Sequence, residues 1–183
     1  MRPTLLLALV APALTGCFRH TPRLPDSIPA VEGKSRELFA LSYIDNVTGT
    51  GTPVSPRRCL FAHYTGWLTD GKKFDSSRDT MPNGLKRDPI SFPQGSRRVI
   101  AGWDVGFEGM KVGGQRRLFI PYQLAYGEAG RPPVIPPKAE LIFDVELMAV
   151  ADTMVRRPDS VAVARPGVAA VPQCPTWKSV SGG

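Results

Sequence analysis

The chain has 183 residues, of which 42% are hydrophobic and 21% charged, a balance typical of one globular domain rather than of a disordered or membrane-filled chain. Lys and Arg outnumber Asp and Glu by 23 to 16, but the excess is spread along the chain without a block of like charges, which argues against a nucleic-acid partner. Two His and three Cys without Cys-x-x-Cys or His-x-x-x-His spacing argue against a zinc or iron site, so we expect no metal or cofactor.

The first segment, residues 1–16, is predicted to be a secretory signal. Arg2 precedes a short apolar run over residues 5–14, which is too brief to span a membrane as a helix. The run ends in small residues before Cys17, which resembles the processing box of bacterial lipoproteins. The resemblance implies cleavage before Cys17 and a lipid on that residue. An ordinary signal peptide, cut nearby and leaving Cys17 as a free thiol, is the alternative.

The lipoprotein resemblance also implies a location. Phe18 follows the cysteine, where an aspartate often signals retention in the inner membrane of Gram-negative cells. We therefore expect an exported protein anchored by its lipid to the bacterial envelope, with the periplasmic side of the outer membrane favoured.

Both flanks of the chain are rich in proline. Residues 17–35 are predicted to be an extended tether, and residues 151–183 a loosely ordered tail in which Trp177 is a candidate for docking back. Export would permit a disulfide between Cys59 and Cys174, but the sequence does not show whether their geometry allows it.

The domain between the flanks, residues 36–150, has the pattern of an antiparallel sheet, with short alternating segments separated by Gly and Pro turns. Strands are predicted at residues 38–45, 59–69, 72–75 and 140–150, and the second and third form a hairpin.

One short helix is predicted over residues 102–111. Trp103, Phe107 and Met110 recur on one side of it, and a glycine pair follows it. A single helix laid across a curved antiparallel sheet gives an α+β domain.

Conventional catalytic groups are sparse. His63 lies in the middle of a predicted strand, and without a Gly-x-Ser-x-Gly elbow a structural role is favoured over pairing with Ser76 or Ser77. The conspicuous residues are instead aromatic, close to strand or helix ends: Tyr64, Phe74, Trp103, Tyr126 and Phe143.

Six strings, in this order along the chain, carry a family resemblance: residues 63–66, 70–77, 99–103, 125–127, 135–137 and 141–147. Together they are similar to the FKBP-type peptidyl-prolyl cis-trans isomerases over residues 36–150. The resemblance implies a twisted five-stranded antiparallel sheet half-wrapped around one short helix, in agreement with the α+β class derived above.

The resemblance further implies a proline-binding pocket with Trp103 as its floor. The Ile100 backbone N–H and the Tyr126 hydroxyl would donate to the carbonyl that precedes the proline. The implied catalytic residues are Tyr64, Asp75, Tyr126 and Phe143, and the implied substrate-binding residues are Phe74, Val99, Ile100, Trp103 and Ile135. The alternative for these aromatic residues is a purely structural place in the core.

The implied mechanism is non-covalent. Amide resonance sets a barrier of about 18–20 kcal/mol to rotation about the X-Pro bond. A pocket poor in water that binds the twisted amide better than either planar isomer lowers that barrier.

The sequence departs from the family pattern beside Asp75. Thr80 stands where the family commonly has an arginine able to pair with that carboxylate, and Arg78 or Arg87 is the candidate substitute.

Two further departures lie near the implied pocket. Ile90 stands in register for an expected aromatic residue, unless Phe92 takes that place. Residues 131–134 replace a His-Pro-Gly-Ile string of the family, and Arg131 changes the charge of the loop over the site. Substrate preference and macrolide affinity therefore stay open.

We therefore expect a lipid-anchored prolyl isomerase that acts on proline-containing clients during the folding of exported proteins. The alternative is a non-catalytic module that binds proline-containing segments, as a chaperone or as an accessory subunit of an envelope complex. Macrolide inhibitors are further implied ligands, and the oligomeric state is open, with a monomer favoured.

Overall fold

The computed structural model describes residues 25–33, 35–38, 41–152 and 173–182. The predicted signal peptide and the lipidation site at Cys17 lie outside the described residues, as do residues 153–172 of the predicted tail. Within the described ranges, no helix has the length and apolar character needed to cross a membrane.

Seven strands in the described part of the chain form one antiparallel sheet, with the order β1-β2-β6-β7-β3-β4 and with β5 paired to β3. Their bounds are β1 Ser35–Leu38, β2 Leu41–Val47, β3 Cys59–Leu68, β4 Lys73–Ser76, β5 Ile90–Pro93, β6 Gln115–Ile120 and β7 Leu141–Ala151. The helices are α1 Ala101–Gly106, a 3-10 turn at Tyr122–Leu124, and α2 Trp177–Val180.

The α+β class is confirmed, with more strands than the five predicted. The helix α1 is shorter than predicted, because the chain leaves the helical path after Gly106. The Phe107 N–H still donates to the Trp103 carbonyl at 3.1 Å, but Gly109 adopts a φ of 73°, a left-handed conformation that ends a helix. Met110 is buried beyond that end, so the predicted apolar side is preserved.

The main core lies between α1 and one face of the sheet, which we call the inner face. Along β7, Leu141, Phe143, Val145 and Leu147 are all buried against it, as the alternation predicts. The helix approaches the sheet closely, since a Cβ atom at Gly106 would lie only 2.8 Å from Leu118.

The opposite face of the sheet, the outer face, carries ion pairs and a small apolar cluster. Arg117 on β6 is 1% exposed and donates two 2.6 Å hydrogen bonds to the Asp144 carboxylate on β7. Beside this pair, Trp67, Ile142 and Ile28 pack together. A buried guanidinium needs such a bidentate partner, because desolvation of an unpaired charge is costly.

The N-terminal flank departs from the predicted tether, because residues 25–33 pack on the outer face. Ile28 is 5% exposed in the apolar cluster, and Arg117 donates to the Pro29 carbonyl at 2.6 Å. Ser27 Oγ donates to the Gly71 carbonyl in the β3–β4 turn at 2.9 Å. Burial of one isoleucine and satisfaction of one buried arginine together hold this segment.

The C-terminal flank is joined to the sheet by a disulfide between Cys59 and Cys174, whose Cα atoms are 5.4 Å apart. Trp177 on α2 packs on Phe61, with ring centroids 5.7 Å apart. Phe61 alternates with Leu60 and Ala62 of the inner core, so this contact lies on the outer face. Trp177, a candidate for docking from the sequence, therefore docks on the outer face.

Candidate functional site

An aromatic basin occupies the inner face beside α1, and its rings come from α1, β3, β4 and β7. Trp103 on α1 packs edge-on against Tyr64 on β3 and Phe143 on β7, with centroid separations of 5.1 and 5.3 Å. Phe74 on β4 stands edge-on to Phe143 at 5.5 Å. Edge-to-face packing fixes each ring by its neighbours, so the basin is rigid and apolar before any ligand arrives.

A glycine on β3 makes room for two of these rings. Gly66 is paired with Phe143 across the ladder, and a Cβ atom there would lie 2.7 Å from the Phe143 ring and 2.6 Å from the Phe74 ring. Gly66 lies in the first of the six family strings, residues 63–66, from which no role was predicted for it. Its role is steric, because any side chain would displace the rings that wall the basin.

The floor and rim of the basin are apolar, with two donors. Trp103 is 4% exposed, and among the described residues its indole N–H has no hydrogen-bond partner. Ile100 immediately precedes α1, and no carbonyl of the described chain accepts from its backbone N–H. The indole N–H is fully buried, whereas the backbone N–H of the half-buried Ile100 can serve a ligand acceptor beside the apolar basin.

An acidic group borders the basin at Asp75. The Tyr64 hydroxyl donates to Asp75 Oδ2 at 2.6 Å, and the Ser76 backbone N–H donates to Asp75 Oδ1 at 2.9 Å. Arg87 lies 3.4 Å from the same carboxylate, whereas Arg78 pairs with Glu146 on the outer face. Of the two candidates to replace the missing arginine at position 80, Arg87 therefore occupies the place beside Asp75.

The Tyr64 hydroxyl is held in its protonated form. Burial raises the pKa of this phenol well above its usual value, and the hydrogen bond to Asp75 raises it further. At neutral pH the group is thus a hydrogen-bond donor, not a base. Its proton is directed at the carboxylate, which fixes the orientation of both side chains at the basin wall.

The packing also shows which residue supplies the aromatic ring expected in register at Ile90. Phe92 on β5 is 1% exposed, with its ring 5.7 Å from Trp103 and 5.5 Å from Phe107. Ile90, two residues earlier, is half-buried against the same core. The aromatic contact beneath the tryptophan is therefore supplied by Phe92.

A loop over residues 121–140 forms the remaining side of the basin. Tyr126 is half-buried against the main core, and Ile135 is 3% exposed. The Arg131 guanidinium lies over the Tyr126 ring, 5.9 Å from its centroid. The Arg131 backbone N–H donates to the Ile135 carbonyl at 2.8 Å, which closes the loop on itself.

The nine predicted pocket residues all lie on or beside the inner face of the sheet. Eight of them belong to the inner core or pack directly on it, and Asp75 joins them through its hydrogen bond to Tyr64. Sequence reasoning left the places of Arg87 and Phe92 open, since both depend on the path of the 80–92 loop.

A separate cleft of about 410 Å³ lies on the outer face, next to the docked N-terminal flank. His63, Arg78, Arg117, Asp144 and Glu146 line it, and the four charged groups form two ion pairs with each other. The basin lies on the other side of the sheet, so the cleft is not the predicted pocket.

His63 has a structural hydrogen bond in this cleft. Its Nδ1 lies 3.0 Å from Ser77 Oγ, which also accepts from the Tyr64 backbone N–H at 2.8 Å. Burial lowers the pKa of His63, and the nearby Arg78 lowers it further. Across the described ranges, no group of three or more His, Cys, Asp or Glu side chains could hold a metal ion.

The family comparison covers most of the described sheet. Residues 51–148, more than half of the chain, match the family described as FKBP-type peptidyl-prolyl cis-trans isomerase. The matched segment contains every predicted pocket residue.

Curated relatives share up to about half of their aligned residues with this chain. The FK506-binding protein of Neisseria meningitidis serogroup C is 54% identical over 91 residues, covering 50% of this chain and 78% of that protein. FK506-binding protein 4 of Dictyostelium discoideum is 50% identical over 111 residues, covering 61% of this chain but only 28% of the relative. The mouse peptidyl-prolyl cis-trans isomerase FKBP4 is 49% identical over 100 residues, or 55% of this chain and 20% of its own length.

Solved structures match the fold. The peptidyl-prolyl cis-trans isomerase of Pseudomonas syringae has a TM-score of 0.55 at 32% identity, covering 64% of this chain and 80% of that one. FkpA of Escherichia coli has a TM-score of 0.56 at 38% identity, covering 66% and 53%.

Proposed function

The chain belongs to the FKBP-type peptidyl-prolyl cis-trans isomerase family, and on that basis we propose that it accelerates cis-trans isomerisation of X-Pro bonds in polypeptide clients. The observation that carries the proposal is the preformed aromatic basin with Trp103 at its floor. A pyrrolidine ring is compact and apolar, and it fits a site walled by rings and poor in titratable groups.

The proposed mechanism depends on binding the twisted amide. Rotation about the X-Pro bond has a barrier of about 18–20 kcal/mol, because the planar amide is stabilised by resonance. Twisting removes this conjugation, so the twisted amide is less polar than the planar one and loses less on leaving water, while its carbonyl still needs a donor. The Ile100 backbone N–H and the Tyr126 hydroxyl are the proposed donors to it, and the rings exclude the water that would stabilise the planar ground state.

Asp75 is proposed to act by orientation and field, not by proton transfer. Its carboxylate accepts from the Tyr64 hydroxyl at 2.6 Å and is partly balanced by Arg87 at 3.4 Å. A fixed carboxylate beside the basin favours the positive end of the twisted amide dipole. No residue of the basin needs to form a covalent bond.

The packing supports the catalytic proposal over a non-catalytic binding module. Thr80 and Ile90 depart from the family pattern, and loss of a cation beside Asp75 or of a ring near the floor would favour a mere binding role. Arg87 beside Asp75 and Phe92 beneath Trp103 supply the missing charge and the missing ring. The basin therefore has both a cation beside Asp75 and an aromatic ring beneath Trp103.

We further propose that the protein is exported and anchored by a lipid on Cys17, and that its clients are folding envelope proteins. The lipoprotein-like sequence before Cys17 supports the anchor. The Cys59–Cys174 disulfide supports export, because disulfides persist in oxidising compartments.

Isomerase activity is tested with matched tryptophan variants of the full chain in detergent. Trp103 on the inner face and Trp67 on the outer face are both buried, at 4% and 7% exposure. We expect both Trp103→Leu and Trp67→Leu to lose about 3 kcal/mol of stability. Only Trp103→Leu should lose turnover of X-Pro tetrapeptides, by about tenfold or more. A folded wild-type protein without turnover would favour the non-catalytic binding module.

The anchor is tested by Cys17→Ala. We expect the variant to leave the membrane fraction, since a lipid contributes about 0.8 kcal/mol per buried methylene. Unchanged fractionation would contradict the lipoprotein assignment without affecting the isomerase proposal.

A further inference from the structure

Arg131 presents a cation at the edge of the basin. Its guanidinium lies 5.9 Å from the centroid of the Tyr126 ring, within the range of a cation–π contact. The guanidinium carries five N–H donors, and none of them has an acceptor within the described part of the chain. The side chain is exposed beside the Tyr126 ring, so these donors are open to a partner that enters from the rim.

The carboxylates close to this loop are engaged elsewhere. Glu128 pairs with Lys138 at 2.8 Å, and Asp75 pairs with Arg87 across the basin. Within the described part of the chain, no carboxylate lies within ion-pair distance of Arg131. The rim therefore carries a positive charge that the described residues do not neutralise.

The position of Arg131 relative to Tyr126 indicates which part of a client it would meet. In the proposed function the Tyr126 hydroxyl donates to the carbonyl of the residue before the proline. The Cα of that residue is bonded to this carbonyl carbon, so its side chain starts close to the Tyr126 hydroxyl and within reach of the Arg131 guanidinium. Arg87 partly balances the charge of Asp75, which reduces the repulsion that a second carboxylate would meet at this rim.

We propose that Arg131 is a specificity-determining residue that favours clients with Asp or Glu immediately before the proline. This inference rests on the proposed isomerase activity and names the class of its preferred substrate. A carboxylate would replace water around the exposed guanidinium, in a pair of the kind Arg forms readily. Because the pair is partly exposed, the preference is modest and weakens as salt rises.

The loop tolerates a test at this position. The Arg131 backbone is held by hydrogen bonds in both directions with Ile135, at 2.8 and 3.0 Å. Ile135 itself is buried, so the loop is fixed through main chain and core. Removal of the exposed Arg131 side chain leaves these contacts in place.

The experiment measures kcat/KM of the full chain in detergent on tetrapeptides that differ only in the residue before proline, with Glu compared with Gln. These two side chains have the same shape, so the ratio isolates the charge. We expect a ratio about two- to fivefold in favour of Glu at low salt, falling towards one at high salt. Arg131→Gln should bring the ratio to about one, and Arg131→Glu should reverse it. Lys138→Gln removes a neighbouring, carboxylate-paired cation and should leave the ratio unchanged.

The outcomes separate this inference from the proposed function. If all peptides turn over but the ratio is the same in the wild type and both Arg131 variants, the specificity role is overturned and the isomerase proposal stands. If Lys138→Gln removes the preference as completely as Arg131→Gln, the preference comes from the general positive potential of the loop and not from a contact with Arg131. The inference is then also wrong. If no peptide turns over, both proposals are overturned.

Discussion

The inner and outer faces of the sheet are built from the same strands, but they satisfy their polar groups in opposite ways. On the outer face, Arg117 and Asp144 are paired by two 2.6 Å hydrogen bonds, and both chain flanks pack alongside. On the inner face, rings meet edge to edge, and the donors of Trp103 and Ile100 have no partner in the described chain.

The difference shows where binding capacity is kept. A face whose charges are already paired has little to offer a ligand, because new contacts must replace good existing ones. The inner face keeps the Ile100 backbone N–H unpartnered beside apolar walls, so a ligand gains a hydrogen bond there without breaking one. Substitutions on the outer face should therefore lower stability alone, and those in the basin should lower turnover.

The largest expected effect on the outer face comes from the disulfide. Cys59 and Cys174 are separated by 115 positions in the sequence, and closure of so long a loop restricts the unfolded chain strongly. We expect Cys174→Ala to lower the free energy of unfolding by about 3–4 kcal/mol, with X-Pro turnover per folded molecule preserved. Denaturant titration and a peptide assay measure the two quantities.

The control for this variant is the reduced wild-type protein. With a dithiol reductant present, the wild type and Cys174→Ala should unfold at similar denaturant concentrations. A loss of turnover in the folded variant would contradict the separation of the two faces.

A smaller effect is expected from the N-terminal flank. Ile28→Ala removes apolar contacts with Trp67 and Ile142 and should cost about 2 kcal/mol, again without loss of turnover. Val47→Ala is the matched control, since Val47 is 43% exposed and its truncation should change stability by less than about 0.5 kcal/mol. Equal stability of the Ile28 and Val47 variants would mean that the flank does not pack on the sheet in solution.

In the basin, a substitution should lower turnover more than stability. Tyr64→Phe removes the 2.6 Å hydrogen bond to Asp75 and should lower stability by only about 1 kcal/mol. Turnover should fall several-fold, since the carboxylate loses the group that orients it. Tyr43→Phe alters a tyrosine that stacks under Arg116 away from the basin and should keep full turnover. Unchanged turnover in Tyr64→Phe would show that the orientation of Asp75 is unimportant.

The smallest expected effect is the pH dependence of the outer face. Burial lowers the pKa of His63 below its usual value of 6.5, so the unfolded chain binds this proton more readily than the folded one. The His63 contribution to stability is therefore constant above about pH 6.5 and declines as the pH falls below it. His63→Gln should flatten this part of the stability profile. Parallel wild-type and variant profiles would contradict the shift.

The regular strands could be predicted closely from the sequence. The prediction for residues 59–69 meets the observed Cys59–Leu68 within one residue, and that for residues 140–150 meets Leu141–Ala151. Both strands are long and alternate cleanly, so the sheet periodicity is visible without tertiary information. The pocket residues followed from the six family strings and not from the periodicity.

The strand β6 could not be predicted, because two arginines interrupt its apolar pattern. Arg116 can be buried because its guanidinium donates hydrogen bonds to Asp45 and to the carbonyls of Gly106 and Glu108. Asp45 is 71 positions away in the sequence. Such distant partners are invisible in local sequence. The docked N-terminal flank was missed for the same reason, since its proline content resembles that of a tether until the partners of Ile28 are known.

The docking of the N-terminal flank has a geometric consequence for an anchored protein. The chain meets the domain at Pro25, beside the β3–β4 turn, and crosses the outer face from there. With a lipid on Cys17, the intervening chain reaches at most about 28 Å, less than the path around a domain of this size. This short connection would therefore hold the outer face towards the bilayer. The basin on the inner face would then be open to proteins arriving from the aqueous side.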